Sequence, residues 1–320
     1  MLKGGKKRNI AIISGFILLF FIVIFFYFQT FQKKTPAYNS KLKVTTTIFP
    51  LYDIAEQIGG DKIELVTLLP KGASPHTFEP TPEIIRQISQ TNLFLFAGAG
   101  LDSWATFLVE DNIDRKKNNY RALDLSEKVV LKPYLNDHEG EDEEGAEEHE
   151  HADFDPHYWL SPANALLIAQ GITEALSEED RENESYYRAN LEIFQKELEL
   201  AIKSWQEKME QLERREIIVF HDAWNYFADF FDLNIVASFE PFPGKTPSPK
   251  YLQSVQNEII AHDISVVFTE PQLAPDLALA LAFDVLSQVA ILDPLGGLSG
   301  RESYLSLIDY NVETIYSYLK

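Results

Sequence analysis

Short apolar and β-branched runs alternate with amphipathic segments along most of the chain. "KVTTTIF", "IELVTLL" and "NLFLFAG" in the first half, and "EIIVF", "DISVVFTE" and "QVAILDP" in the second, have the length and composition of β-strands. Between them, segments such as "LYDIAEQIGG" and "SPKYLQSVQNEIIAH" have the apolar spacing of helices. Because strands that alternate with helices form parallel sheets covered by helices, the pattern predicts an α/β fold.

One predicted helix, over residues 185–213, is much longer than the others. Its apolar residues recur every three or four positions, and they are Tyr187, Leu191, Phe194, Leu198, Ile202, Trp205, Met209 and Leu212. Such a stripe indicates a helix packed on the protein's own core rather than a coiled coil that binds a partner. We expect this helix to be a rigid linker between an N-terminal α/β lobe (42–184) and a C-terminal α/β lobe (214–320).

The first 41 residues differ in character from the rest of the chain. A basic tail (1–9) precedes an almost unbroken apolar run (10–28), which as a helix would reach about 28 Å, close to the hydrocarbon thickness of a bilayer. We therefore expect a transmembrane anchor or uncleaved signal, followed by a polar tether (29–41), although Thr35–Ala37 leaves a cleaved signal peptide as an alternative. The basic tail places the N-terminus in the cytoplasm and the remainder outside the membrane, in the periplasm or its equivalent.

Composition narrows the functional classes. The net charge of −21 argues against a nucleic-acid partner, which would require a basic face. The absence of cysteine excludes thiolate metal sites, disulfides and lipid attachment through an N-terminal cysteine. A metal site in this chain must therefore consist of His, Asp and Glu side chains.

An acidic segment over residues 137–155 interrupts the strand–helix alternation. It contains eleven carboxylates and no Lys or Arg, together with His138, His149 and His151. These histidines are either part of a low-affinity antenna that concentrates cations or members of a solvated loop without fixed partners. Composition does not separate the two interpretations.

Four potential metal ligands lie at the ends of predicted strands or ahead of a predicted helix. They are His76, His157, His221 and Asp293. In open α/β sheets, ligands bind beyond the carboxyl ends of the strands, so two residues from each lobe would meet in a cleft between the lobes. Three imidazoles and one carboxylate form a tetrahedral set that suits Zn²⁺.

The motifs around these residues resemble one protein family. "TTTIFPLYDIAEQIGGDKIELVTLLPKGASPHTFEPTP", "DPHYWLSP", "FHDAW", "FTEPQ" and "ILDPLGG" occur in the order and spacing of the zinc- and manganese-specific solute-binding proteins of ABC importers. The resemblance runs from about Leu42 to the C-terminus. It implies two α/β lobes joined by a long rigid helix, a monomer that delivers its metal to a membrane permease, and metal ligands at the same four residues.

The third ligand position separates the zinc and manganese branches of that family. The resemblance implies His in zinc carriers and Glu in manganese carriers, and this chain has His221. Zn²⁺ is therefore the expected cargo and Mn²⁺ the less favoured one, because a second carboxylate would harden the site.

An alternative of another class is a membrane-tethered zinc hydrolase or lyase, since three histidines with an open fourth position suit catalytic zinc. Asp293 would close that position, and the sequence places no clear general base, so we expect no enzymatic activity. An adhesin or scaffold would leave the ligand set unexplained. Glu270 and Asp222 are candidates for orienting the imidazoles, and His262 is expected to have a structural role.

Overall fold

The predicted α/β fold with two parallel sheets and flanking helices is confirmed. The computed structural model describes residues 41–112, 120–134, 154–240, 247–272 and 287–320. Within these ranges each half of the chain contributes one four-stranded sheet, and the strands of each sheet are all parallel.

The first sheet has the strand order β2-β1-β3-β4. Its strands are β1 (Leu42–Thr46), β2 (Ile63–Thr67), β3 (Leu93–Phe96) and β4 (Arg121–Asp124). The helices of this half are α1 (Phe49–Gly59), α2 (Pro82–Ile88), α3 (Ser103–Asn112) and α4 (Pro162–Glu179).

The second sheet has the equivalent order β6-β5-β7-β8. Its strands are β5 (Glu216–His221), β6 (Asn234–Glu240), β7 (Val266–Thr269) and β8 (Gln288–Ile291). Its helices are α6 (Asn225–Phe231), α7 (Pro249–Ala261) and α8 (Tyr304–Leu319). The strand order reverses between β5 and β7, and the carboxyl ends of two such strands form a crevice in which open α/β sheets bind ligands.

Strands β3 and β7 are apolar because helices cover both faces of each sheet. In β3, Leu93, Phe94 and Leu95 are fully buried, and in β7 all four residues are buried. Strands of this kind read as continuous apolar runs rather than alternating ones, which is the pattern that marked them in the sequence.

A long helix, α5 (Glu184–Met209), lies between the two sheets in chain order. Its 26 residues extend about 39 Å. The apolar stripe faces inward, as expected for a core helix; the buried residues of α5 are Tyr187, Phe194, Leu198, Trp205 and Met209. The helix contacts α1 and α4 from the first half and α8 from the second. It ends four residues before the predicted boundary at 213.

The predicted basic tail, the anchor (10–28) and all but the last residue of the tether lie outside the described residues. The acidic segment up to residue 153, including His138, His149 and His151, also lies outside them. Among the helices that the structure does describe, none combines the length and apolar character needed to cross a membrane.

Candidate metal centre

The three predicted histidine ligands lie where chain segments leave regular structure. His221 is the last residue of β5, at the reversal point of the second sheet. His76 lies in the loop between β2 and α2, and His157 directly precedes a short 3-10 turn (Tyr158–Leu160) ahead of α4. Residues distant in sequence are thus brought to one place by the ends of strands and short turns.

The imidazoles of His76, His157 and His221 converge. Nε2 of His76 lies 3.1 Å from Nε2 of His157, and Nε2 of His221 lies 3.4 Å from the same atom. Four-coordinate zinc with Zn–N distances of about 2.0–2.1 Å requires nitrogen atoms about 3.3 Å apart. In the described part of the chain, these three residues form the one group of His, Asp and Glu side chains close enough to share a metal ion.

Buried carboxylates determine which nitrogen of two rings carries the proton. Nδ1 of His157 lies 2.8 Å from Oδ1 of Asp155, which also accepts a hydrogen bond from the His157 backbone N–H. Nδ1 of His221 lies 2.7 Å from Oε1 of Glu270, although the angle falls short of a well-directed hydrogen bond. The same Glu270 oxygen accepts a hydrogen bond from the indole of Trp224 at 2.9 Å. Because carboxylate oxygens accept, the Nδ1 atom of each ring is placed to donate, and Nε2 of a neutral ring then presents a lone pair.

Nε2 of His157 and Nε2 of His221 face each other at 3.4 Å, and their lone pairs would repel unless a proton or a metal ion lies between them. Burial lowers the pKa values of His76 and His157 well below their ordinary range, so both imidazoles are neutral. At His221 burial also acts to lower the pKa, but the charges of Glu270, Asp155 and Asp222 outweigh it and raise the pKa overall. The group is therefore arranged to accept positive charge at its centre, and a divalent metal ion fits that requirement.

Asp155 is the carboxylate that sequence reasoning missed. The composition of the chain groups it with the acidic segment, yet it is fully buried and contacts His157 through both the backbone and the ring. Without a metal ion, burial raises its pKa to about 8, against the lowering effect of the His157 backbone N–H; a divalent cation on the His157 ring would favour the ionised carboxylate. The separation of two residues from His157, across Pro156, was the one signal in the sequence that could have identified it.

Asp293 has a different environment from the three histidines. It is fully buried, and its Oδ1 accepts hydrogen bonds from the backbone N–H groups of Leu295 and Gly296 at 3.0 Å each. The same oxygen accepts a hydrogen bond from Nε2 of Gln272 at 2.9 Å, and Oδ2 lies 3.0 Å from Nη1 of Arg301. The structure thus brings together three of the four predicted ligands, and Asp293 is not part of that group.

The remaining predicted residues have the following positions. Glu270 contacts His221 directly, while buried Asp222 acts on the pKa of His221 through its charge. His262 is about one third exposed and pairs with Glu216 and Glu258.

Gln272, which sequence reasoning did not single out, lines the pocket together with the three histidines, Glu270 and the Ser74–Pro75 segment.

Comparison with known proteins places the chain in a family. A family described as "ZnuA: Zinc-uptake complex component A periplasmic" matches residues 44–318. The zinc-binding lipoprotein AdcA of Streptococcus pneumoniae is 26% identical over 282 residues, which are 87% of this chain and 56% of that protein. The metal ABC transporter substrate-binding lipoprotein ScbA of Streptococcus cristatus is 28% identical over 89% of this chain and 91% of its own length. This chain spans 56–61% of the length of the AdcA proteins that it matches.

Solved structures agree in fold. A crystal structure of ZnuA superposes with a TM-score of 0.76 at 25% identity, and the match covers 88% of this chain and 100% of that one. A zinc-bound mutant variant of AdcAII from Streptococcus pneumoniae also gives a TM-score of 0.76, at 26% identity, over 88% of this chain and 99% of the other. The resemblance that the motifs indicated is confirmed, and the chain belongs to the ZnuA family of periplasmic zinc-uptake components.

Proposed function

We propose that this protein binds Zn²⁺ between His76, His157 and His221 and delivers it to the membrane permease of an ABC importer. The observation that carries the proposal is the convergence of three Nε2 atoms, two of which have their rings oriented by buried carboxylates. Neutral imidazoles are ligands that zinc prefers. Asp155 and Glu270 add negative charge next to the ring nitrogens that face away from the metal, which strengthens the imidazoles as ligands.

The proposed cargo carrier acts outside the cytoplasm as a monomer, and the apolar segment (10–28) attaches it to the membrane. Both relatives described above, AdcA and ScbA, are named lipoproteins. The chain has no cysteine, so the proposed attachment is the apolar segment itself. Membrane fractionation before and after alkaline carbonate extraction tests this. If carbonate released the protein from the membrane fraction, the apolar segment would not be an integral membrane anchor.

Metal binding is tested on the full chain after removal of bound metal. We expect one tightly bound Zn²⁺ per chain in competition with a chromophoric chelator. His157→Ala should weaken binding by at least about 100-fold, because the loss of a direct ligand exceeds the usual effect of losing an outer partner. His262→Ala is the matched control, since His262 also has carboxylate partners but lies apart from the pocket. Equal affinities for the two variants would contradict the proposal.

The choice between zinc and manganese is expected to depend on His221. In the variant His221→Glu, the ratio of Mn²⁺ to Zn²⁺ affinity should rise by about tenfold or more, which corresponds to about 1.4 kcal/mol. The physical reason is that a carboxylate oxygen in place of an imidazole favours the harder ion. Competition between the two ions on the wild type and the variant measures the ratio. An unchanged ratio would show that His221 does not contact the metal.

The hydrolase alternative receives no support from the comparisons, in which relatives are named as zinc-binding and substrate-binding proteins. Assays of ester, lactam and CO₂ hydration turnover on the zinc-loaded full chain provide the direct test. Turnover that disappears on removal of zinc would contradict the proposal that the chain is a binding protein.

A further inference from the structure

Without a metal ion, one oxygen of the Asp293 carboxylate is fully hydrogen-bonded, and the other has an ion pair with Arg301 but no directed hydrogen bond. Its Oδ1 accepts three hydrogen bonds, from Leu295, Gly296 and Gln272, and its negative charge faces the guanidinium of Arg301. Arg301 is itself held over the ring of Tyr310, 4.4 Å from its centroid. To bind a metal, Asp293 would have to leave a buried ion pair, and breaking such a pair leaves an uncompensated charge on Arg301.

The contact with Asp293 determines the orientation of the Gln272 amide. A carboxylate oxygen only accepts hydrogen bonds, so the atom of Gln272 that lies 2.9 Å from Asp293 is the amide nitrogen. The amide oxygen, Oε1, therefore points away from Asp293. Oε1 is buried, and within the described residues it has no hydrogen-bond partner. A buried oxygen without a partner is costly, because it has lost its water and gained nothing in return.

Gln272 lines the same pocket as His76, His157 and His221. The pocket thus combines three imidazole nitrogens with one buried amide oxygen that has no other partner among the described residues. Tetrahedral zinc requires four ligands, and the three histidines supply three of them.

We propose that Oε1 of Gln272 is the fourth ligand of the bound Zn²⁺, and that Asp293 holds the Gln272 amide in place instead of coordinating the metal. The inference rests on the proposed zinc-binding function and specifies its coordination. All four ligands are then neutral, and the charge of the ion is balanced by Asp155 and Glu270 behind the imidazoles. A neutral amide oxygen holds zinc less strongly than a carboxylate does, which favours release to a permease.

The direct test is a crystal structure of the zinc-loaded full chain. We expect the Gln272 oxygen at about 2.0–2.2 Å from zinc, the usual zinc–oxygen distance, with Asp293 still paired to Arg301. A zinc ion bound by the three histidines together with Asp293 or a water molecule would overturn the inference and leave the proposed function intact. Zinc absent from the three histidines would overturn the proposed function itself.

Affinity measurements give a second, independent test. Gln272→Leu removes the amide oxygen at similar volume, and we expect zinc affinity to fall by at least about tenfold. In the cobalt-substituted protein, the visible absorption of the metal should change as well, because one of its ligands has changed. Gln57→Leu is the matched control. Gln57 also donates to a buried carboxylate, Asp53, at 2.7 Å, but lies outside the pocket.

Gln57→Leu should leave both the affinity and the cobalt spectrum unchanged. Wild-type affinity and an unchanged spectrum in folded Gln272→Leu would contradict the inference. If Gln272→Leu does not fold, the zinc-loaded wild-type structure still decides the question.

Discussion

At the residue scale, two His–carboxylate pairs have similar contact distances and differ in how far their side chains are exposed to water. The His221–Glu270 pair and the His262–Glu216 pair both join Nδ1 to a carboxylate oxygen, at 2.7 and 2.9 Å. The side chains of the first pair are 5% and 1% exposed, whereas those of the second are 34% and 42% exposed. Water screens an exposed pair, so its contribution is small. The buried pair is shielded from water and can therefore orient the imidazole.

We expect Glu270→Gln to weaken zinc binding by about 10–100-fold, because an outer partner of a metal-bound histidine determines its tautomer and its basicity. Glu216→Gln, the same change in the exposed pair, should leave zinc affinity unchanged. Chelator competition on the two variants measures both values. If both variants bound zinc like the wild type, the contact of Glu270 with His221 would have no role in metal binding.

The sequence was sufficient to identify three histidines that converge and insufficient to predict the environment of Asp293. His76, His157 and His221 stand beside strand ends or a helix start, and such positions can be located from local patterns. The environment of Asp293 depends on Arg301 and Gln272, which lie 8 and 21 residues away and approach it only after the loops have folded. No local pattern reports that Arg301 neutralises the charge of Asp293.

At the element scale, apolar spacing predicted the long helix and its buried face. Leu198 is 1% exposed, and Leu200, two residues further along the same helix, is 72% exposed. Elements with weaker signals were missed. Strand β4 consists of the four residues "RALD", with only two apolar side chains, and its place in the sheet follows from pairing with β3.

The sequence also predicts the caps at the starts of helices only in part. The sequence predicts Ser248 as the cap of α7, and its side chain does accept a hydrogen bond from the backbone N–H of Tyr251. The sequence also predicts Ser161, directly ahead of Pro162, as the cap of α4; Ser161 does occupy the N-cap position, but its side chain makes no capping hydrogen bond. The sequence therefore located the starts of both helices. Whether the serine side chain makes the capping hydrogen bond depends on the side-chain rotamer that packing allows.

The two leucines provide a stability prediction for the long helix. Leu198→Ala should lower the free energy of unfolding by about 2–5 kcal/mol, because it removes a buried side chain and leaves a cavity. Leu200→Ala, the same chemical change on the exposed face of α5, should alter it by no more than about 0.5 kcal/mol. Urea unfolding of the full chain followed by tryptophan fluorescence measures both. Similar losses for the two variants would show that the helix does not pack on the face that the structure assigns.

At the scale of the whole described molecule, buried hydrogen bonds join the two halves at several points. The indole of Trp159 donates to the carbonyl of Pro294 at 2.7 Å, and the hydroxyl of Tyr304 donates to the carbonyl of Trp159 at 2.8 Å. The backbone N–H of Tyr304 donates to the carboxylate of Asp53 at 2.8 Å. All three residues that take part through side chains are buried.

These contacts make a wide separation of the halves unfavourable. Each buried donor or acceptor that loses its partner costs about 1–3 kcal/mol unless water replaces it. Helix α5 adds a continuous connection, since it packs against helices of both halves. The role of α5 as a rigid linker, expected from the sequence, stays a prediction; the length of α5 and these contacts support it, and it implies little change in shape when the metal binds.

We therefore expect the radius of gyration of the full chain, measured by small-angle X-ray scattering, to be the same within error before and after zinc loading. The histidine nitrogens already lie at the separations that zinc requires, so binding needs no large approach of one half toward the other. Mg²⁺ is the control cation, because it prefers oxygen ligands and should neither bind to the three histidines nor alter the scattering. A contraction seen with Zn²⁺ and absent with Mg²⁺ would mean that the halves close around the ion like a hinge, and that α5 is not a rigid linker.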